Sequence, residues 1–260
     1  MNYIIFDLEF NQGYNFGVEN ENVINPKCPF EIIQIGALKL NENFEKIGVL
    51  DVLVKPEIYT TINPFVKEIT GLTMDELNYG KSFKEMYNEF IEFLKPDKNI
   101  LCVWGTSDIK ELFRNLEYHK LDISPIPTEY INIQSYASKA LNCQKGINIG
   151  LSNAAQLLDI PIESKLHNAF NDAYYTAEVF KKIYTNEIKV KVYNPHKHSG
   201  LNRVTSQNYK LDTYNLMKQF EKMFARELTD DEKSIIKLAY IMGKTNQFQI
   251  KIGPAPIVKE

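Results

Sequence analysis

Hydrophobic residues open the chain in one short block. Tyr3, Ile4, Ile5 and Phe6 are β-branched or aromatic and predict a buried central strand. The block then gives way to Asp7 and Glu9, separated only by Leu8. Side chains alternate faces along a strand, so both carboxylates leave the same face. A loop with Gly13, Gly17, Pro26 and Pro29 follows. Glu31 to Leu40 is the next apolar stretch, and Lys46 to Lys55 the third. The short Asn41–Asn43 turn between them predicts an antiparallel pair.

Beyond Pro56 the period changes. Pro64 and the Ile69-Thr70-Gly71-Leu72 segment bracket a short helix, and Thr73-Met-Asp-Glu76 is a capping box for another. From Ser82 to Lys95, Phe83, Met86, Tyr87, Phe90, Ile91 and Leu94 recur with the spacing of an amphipathic helix. Asn99–Val103 and Ile131–Ile133 read as further strands. Helices are expected near 108–119, 134–141, 151–158 and 168–184. Three antiparallel strands followed by strand–helix–strand and more helices predict an α/β fold, a mixed five-stranded sheet with helices on both faces.

After Tyr184 the periodicity thins. Residues 186–210 read as a linker, and 211–224 and the segment after the Thr229–Glu232 capping box read as a helical hairpin on the body. The expected division is a domain over 1–185 and a basic linker with a C-terminal helical extension over 186–260.

The net charge of −3 conceals an uneven distribution. Lys and Arg number 15 and Asp and Glu 25 up to position 180; the remainder holds 15 and 8. Lys181 to Lys218 carries eight basic residues against two acids, interleaved with Tyr184, Tyr193, Tyr209 and Tyr214. Basic groups contact phosphate and aromatic rings stack on bases, so this segment is a candidate guide for single-stranded nucleic acid beside the site. A solvated linker is the rival reading. No run of 18 apolar residues occurs, so no membrane span is expected. The first strand begins at once, so no signal peptide is expected, and the three widely spaced cysteines form no zinc pattern. Both features point to a cytoplasmic protein. Gly243-Lys244-Thr245 lacks the remaining glycine of a phosphate loop, and His196 and His198 read as a solvated basic loop.

The chemistry starts from the carboxylate pair. Two anions so close repel each other and lose hydration on burial, which calls for a cation. Oxygen-only donors suit a hard divalent ion such as Mg²⁺ or Mn²⁺. Taken alone, the pair equally suits a strand ending in a solvated turn. Two later segments offer partners. Asp108 follows the fourth strand, although an acid there also suits a helix N-terminus. His167 stands just before the last helix of the body, and Asp172 one turn inside it. Four carboxylates and an imidazole suit two-metal phosphodiester hydrolysis. An imidazole titrates near neutral pH and can accept the proton of a water.

These residues resemble the DEDDh group of 3′–5′ exonucleases, which have the ribonuclease H-like fold. The resemblance rests on Phe6-Asp7-Leu8-Glu9-Phe10-Asn11, Trp104-Gly105-Thr106-Ser107-Asp108 and His167-x-Ala-x-x-Asp172-Ala173. Glu31-Ile-Ile-Gln-Ile-Gly36-Ala, Ile69-Thr-Gly-Leu72 and Leu151-x-x-Ala154-x-x-Leu157 link them. It covers residues 1–185 and is greatest to Eri-type RNA-trimming and sporulation-inhibitor-like exonucleases. It implies that Asp7, Glu9 and Asp172 bind one metal, and that Asp7 bridges to a second supported by Asp108. His167 would be the general base. Phe10, Asn11 and the Thr70–Leu72 segment would cradle the terminal nucleotide. Two positions depart from the common pattern: Phe10 replaces a frequent Thr, and Asn171 replaces an Asp frequent in Eri-type members. The implied activity is release of nucleoside 5′-monophosphates from 3′ ends of single-stranded RNA or DNA, RNA favoured, with two Mg²⁺ or Mn²⁺. A regulator that binds nucleic acid without turnover is the alternative on the same fold.

Overall fold

The computed structural model describes residues 1–13, 24–95, 98–144, 146–195, 213–230, 232–233, 235–237 and 239. It divides into two compact units, Met1–Gly200 and Leu201–Glu260.

Six strands form the sheet of the first unit: β1 (Asn2–Gln12), β2 (Phe30–Leu40), β3 (Lys46–Leu53), β4 (Asn99–Val103), β5 (Glu129–Asn132) and β6 (Lys191–Val192). Their order is β3-β2-β1-β4-β5-β6. β1–β2, β2–β3 and β5–β6 are antiparallel, whereas β1–β4 and β4–β5 are parallel. The sheet thus has one strand more than the sequence pattern predicts. Two residues are too few to show a period, and β6 lies in the segment read as linker.

Alternation along β1 divides the core. Ile4, Phe6 and Leu8 face α3 (Phe83–Leu94) and α4 (Ser107–Tyr118). Tyr3 and Ile5 face α5 (Ile133–Ala140), α6 (Leu151–Leu157) and α7 (Ala169–Ile183). Continuing that alternation, Asp7 and Glu9 emerge on the α7 face. At the end of β1 the pairing passes from Glu9–Gln34 to Phe10–Ile32, a bulge that leaves Ile33 as the extra residue. Ile33 turns instead to a small core with Val66 of α1 (Pro64–Thr70) and Leu77 of α2 (Met74–Asn78).

α7 is seated at both ends. Its C-terminal half carries Phe180, which with Tyr184 packs against Tyr3 and Phe44 in an aromatic cluster at ring separations of 4.7–5.6 Å for Phe180–Tyr3, Phe44–Phe180 and Phe44–Tyr184. Its first turn lies on Gly36, where an added Cβ would stand 2.1 Å from the Phe170 nitrogen. Only glycine permits that approach.

The second unit contains α8 (Thr213–Phe224). The expected capping box is formed: Thr229 Oγ1 accepts from the Glu232 N–H, and the Glu232 carboxylate accepts from the Thr229 N–H. His196, His198, Arg203, Tyr209 and Gly243–Thr245 lie outside the described residues.

Of the basic segment, the part within the first unit is described up to Pro195. Lys181 and Lys182 fall in the last turn of α7, and Lys182 Nζ donates to the Leu158 carbonyl. That is ten residues along the helix from Asp172, about 15 Å at 1.5 Å per residue. Lys191 pairs with Tyr130, and β6 then runs back toward the start of β5, where the Tyr193 N–H donates to the Thr128 carbonyl. Among the described residues no helix is long and apolar enough to cross a membrane.

Candidate active site

Three elements meet at one sheet edge. β1 and β4 are parallel, so their C-terminal ends lie side by side, and α7 begins above them. β1 supplies Asp7 and Glu9, the first turn of α4 supplies Asp108, and α7 supplies Asp172. Gly105, with φ of +100°, turns the chain between β4 and α4. One carboxylate oxygen each from Asp7, Glu9 and Asp172 lie within 4.8 Å of one another. Asp108 stands outside that trio but interacts electrostatically with all three.

Burial and mutual repulsion raise the whole group. Desolvation is the largest cause at each member. Asp7 is pushed well above the ordinary carboxyl range, with Asp108, Asp172 and Glu9 adding to the effect. Glu9 rises to about 8 and Asp108 to about 7. Asp172 also rises, opposed by a hydrogen bond from the His167 amide and by the His167 charge.

Asp172 carries a further sign of a missing partner. Its Oδ2 accepts the His167 N–H at 3.3 Å, while Oδ1 is buried with no hydrogen-bond partner. A buried carboxylate oxygen without a donor is costly unless a cation completes it. The donor set is oxygen only and thus fits a hard divalent ion. His167 itself is exposed, with φ of +61°, immediately before α7.

The expected nucleotide cradle divides into two kinds of residue. Phe10 is half-buried and meets Phe30 edge to face at 6.2 Å. Leu72 is half-buried beside α1 and α2. Asn11 is fully buried: Nδ2 donates to the Thr61 carbonyl and Oδ1 accepts from the Asn63 N–H. Here the expectation of a direct nucleotide contact fails, because Asn11 has no surface to offer; it ties β1 to the start of α1. Thr70 is also buried, its hydroxyl donating to the Val66 carbonyl and accepting from the Leu72 N–H. It shapes the turn that presents Leu72.

Gln34 is a site-supporting residue that the motif reading passed over. It is 2% exposed and pairs with Glu9 across the sheet. Its Nε2 donates to Asp51 Oδ1 at 2.8 Å, and its Oε1 accepts from the Ala169 N–H at 3.2 Å. The amide thereby anchors the first residue of α7 beside the acids. A polar residue amid Ile32, Ile33 and Ile35 was the visible signal.

Residues 4–180 match the model of the RNase T exonuclease family. A PolC-type DNA polymerase III from Thermotoga petrophila is 26% identical over 190 residues, covering 68% of this chain but only 13% of the polymerase. Two solved structures share the fold at low identity. The nuclease domain of 3′hExo, described as a DEDDh family member bound to rAMP, superposes with a TM-score of 0.61 at 20% identity, covering 74% of this chain and 96% of that one. Escherichia coli exonuclease I in complex with a dT13 oligonucleotide gives 0.54 at 20% identity, covering 71% and 41%. The six-stranded sheet described above is thus the ribonuclease H-like arrangement of DEDDh exonucleases. With more than half its length matched by that model, the chain belongs to the RNase T exonuclease family.

Proposed function

We propose that this chain is a metal-dependent 3′–5′ exonuclease acting on single-stranded nucleic acid, RNA in preference to DNA, and releasing nucleoside 5′-monophosphates. The carrying observation is the meeting of Asp7, Glu9 and Asp172, with one Asp172 oxygen buried and unpartnered. Asp7, Glu9 and Asp172 would hold one Mg²⁺ or Mn²⁺, and Asp7 with Asp108 a second. When bound, such ions neutralise phosphate charge and acidify water.

The chain's own residues do the rest. His167 takes the proton of the attacking water. Attack at the terminal phosphorus breaks the P–O3′ bond, leaves the phosphate on the released nucleoside and restores a 3′-hydroxyl on the shortened chain. Leu72 and Phe10 offer apolar surface to the terminal nucleotide, while Asn11 and Thr70 fix the walls that present it. The RNA preference rests on the likeness to Eri-type enzymes; of the two structural neighbours named above, one is bound to rAMP and one to a DNA oligonucleotide. Retention of all five catalytic positions favours turnover over a purely regulatory role.

The test uses RNA and DNA oligonucleotides of one sequence, labelled at the 5′ end, with Mn²⁺. A ladder shortening by single nucleotides, with mononucleotide 5′-phosphates as product and faster loss of RNA, is expected. Internal cuts, or 3′-phosphate products, would overturn the reading.

A further inference from the structure

Residues 161–168, part of the segment between α6 and α7, form a strap fastened from two sides. On the α7 side, the Tyr175 hydroxyl accepts from the Glu163 and Ser164 N–H groups at 3.0 and 2.8 Å. Asn171 Nδ2 donates to the Lys165 carbonyl at 2.8 Å, and Asp172 accepts from the His167 N–H. All three anchors belong to α7, so the strap is tied to the helix that carries Asp172.

The other fastening crosses to a different wall. Lys165 Nζ donates to the carbonyl of Thr70, the last residue of α1, at 3.2 Å. The same nitrogen lies 2.8 Å from where a Cβ on Gly71 would stand, so the ammonium sits directly over the turn that leads to Leu72. A cation beside a helix C-terminal carbonyl is favourably placed. His167, two residues on, holds a left-handed backbone that side chains seldom adopt. Such a conformation persists only where its surroundings over-determine it.

We infer that Lys165 is a positioning residue for the hydrolysis: by bridging the strap to the Thr70 carbonyl, it holds the His167 imidazole in register with the wall that presents Leu72. The inference rests on the exonuclease reading above and adds to it a link between proton acceptor and nucleotide cradle. Lys165 acts through the strap and touches no reacting atom. Removing its ammonium leaves the strap attached to α7 and the acid cluster intact, but frees the imidazole from the opposite wall.

The test compares K165M and K165R with the unaltered full chain, in steady-state trimming of a 5′-labelled oligonucleotide with Mn²⁺. Small displacements of a catalytic group cost rate, so K165M should lose about tenfold in kcat while KM stays within about twofold. The Mn²⁺-induced rise in melting temperature should match that of the unaltered chain, and K165R should recover most of the lost rate. Unchanged kcat in K165M would overturn the inference. So would a loss confined to KM, which would make Lys165 a phosphate contact. Absence of any turnover by the unaltered chain would instead remove the exonuclease reading, and this inference with it.

Discussion

At Asp172 one oxygen is satisfied by the His167 amide and the other is buried with nothing to accept from. That asymmetry, beside three more raised carboxyls, has a consequence for pH. An unfolded chain gives up carboxyl protons near about pH 4. The native, metal-free cluster keeps them longer, Asp108 to about 7 and Glu9 to about 8. The native state therefore binds more protons between about pH 4 and 8, and its stability falls as pH rises through that window. Divalent ions need the deprotonated groups, so their affinity rises over the same range. Thermal melts in EDTA and in Mn²⁺ from pH 5 to 8 should show a falling metal-free curve and a growing Mn²⁺ shift. A metal-free curve flat across that range would contradict the buried cluster. Gln34 acts at the same scale. Q34L keeps the volume but strands the Ala169 N–H and loses the Asp51 bond, a cost of about 1–3 kcal/mol for the unmet buried group. Weaker Mn²⁺ binding should accompany it, read by calorimetry; unchanged binding would show that the Gln34 clasp does not set the acids.

Among elements, α7 decides the geometry because it must lie close enough to β2 for Asp172 to meet Asp7. Gly36 permits this: Asp7 pairs with it across the sheet, and the Phe170 backbone fills the space a Cβ would need. G36A should therefore push α7 outward, costing about 1–3 kcal/mol or more as overpacking, with the Mn²⁺ shift in melting temperature sharply reduced. A variant as stable and as metal-responsive as the original would refute this seat. The long periodic helices and the apolar strands were legible in the sequence, because burial of one face imposes its own period. The β1 acids were legible for the same reason: alternation alone put them on one face. The strand β6 was not, since its two exposed residues carry no pattern. Nor was the burial of Asn11 and Thr70. A family motif marks where such residues stand; whether they face a ligand or the protein depends, for Asn11, on the distant loop at Thr61–Asn63 and, for Thr70, on the Val66 carbonyl one turn back and the Leu72 amide.

For the whole molecule, topology places only the start of the basic run. The basic run after Lys181 suggested a substrate track, yet α7 carries Lys181 and Lys182 away from Asp172, and β6 turns the chain back toward the start of β5. K189E with K191E should consequently leave trimming of a short oligonucleotide within about twofold of the original at moderate salt, as expected for surface charges beyond screening distance. A steep loss, with a flatter salt dependence, would restore the track. By contrast, acids far apart in sequence converge because β1 and β4 end at the same edge and α7 returns over it. Calorimetric titration of Mn²⁺ into the unaltered chain and into D7N tests that convergence most directly. Two bound ions in the former and loss of both in D7N, which lacks the carboxylate that would hold both, are the predicted result. No binding by the unaltered chain, or equal binding by D7N, would contradict the account.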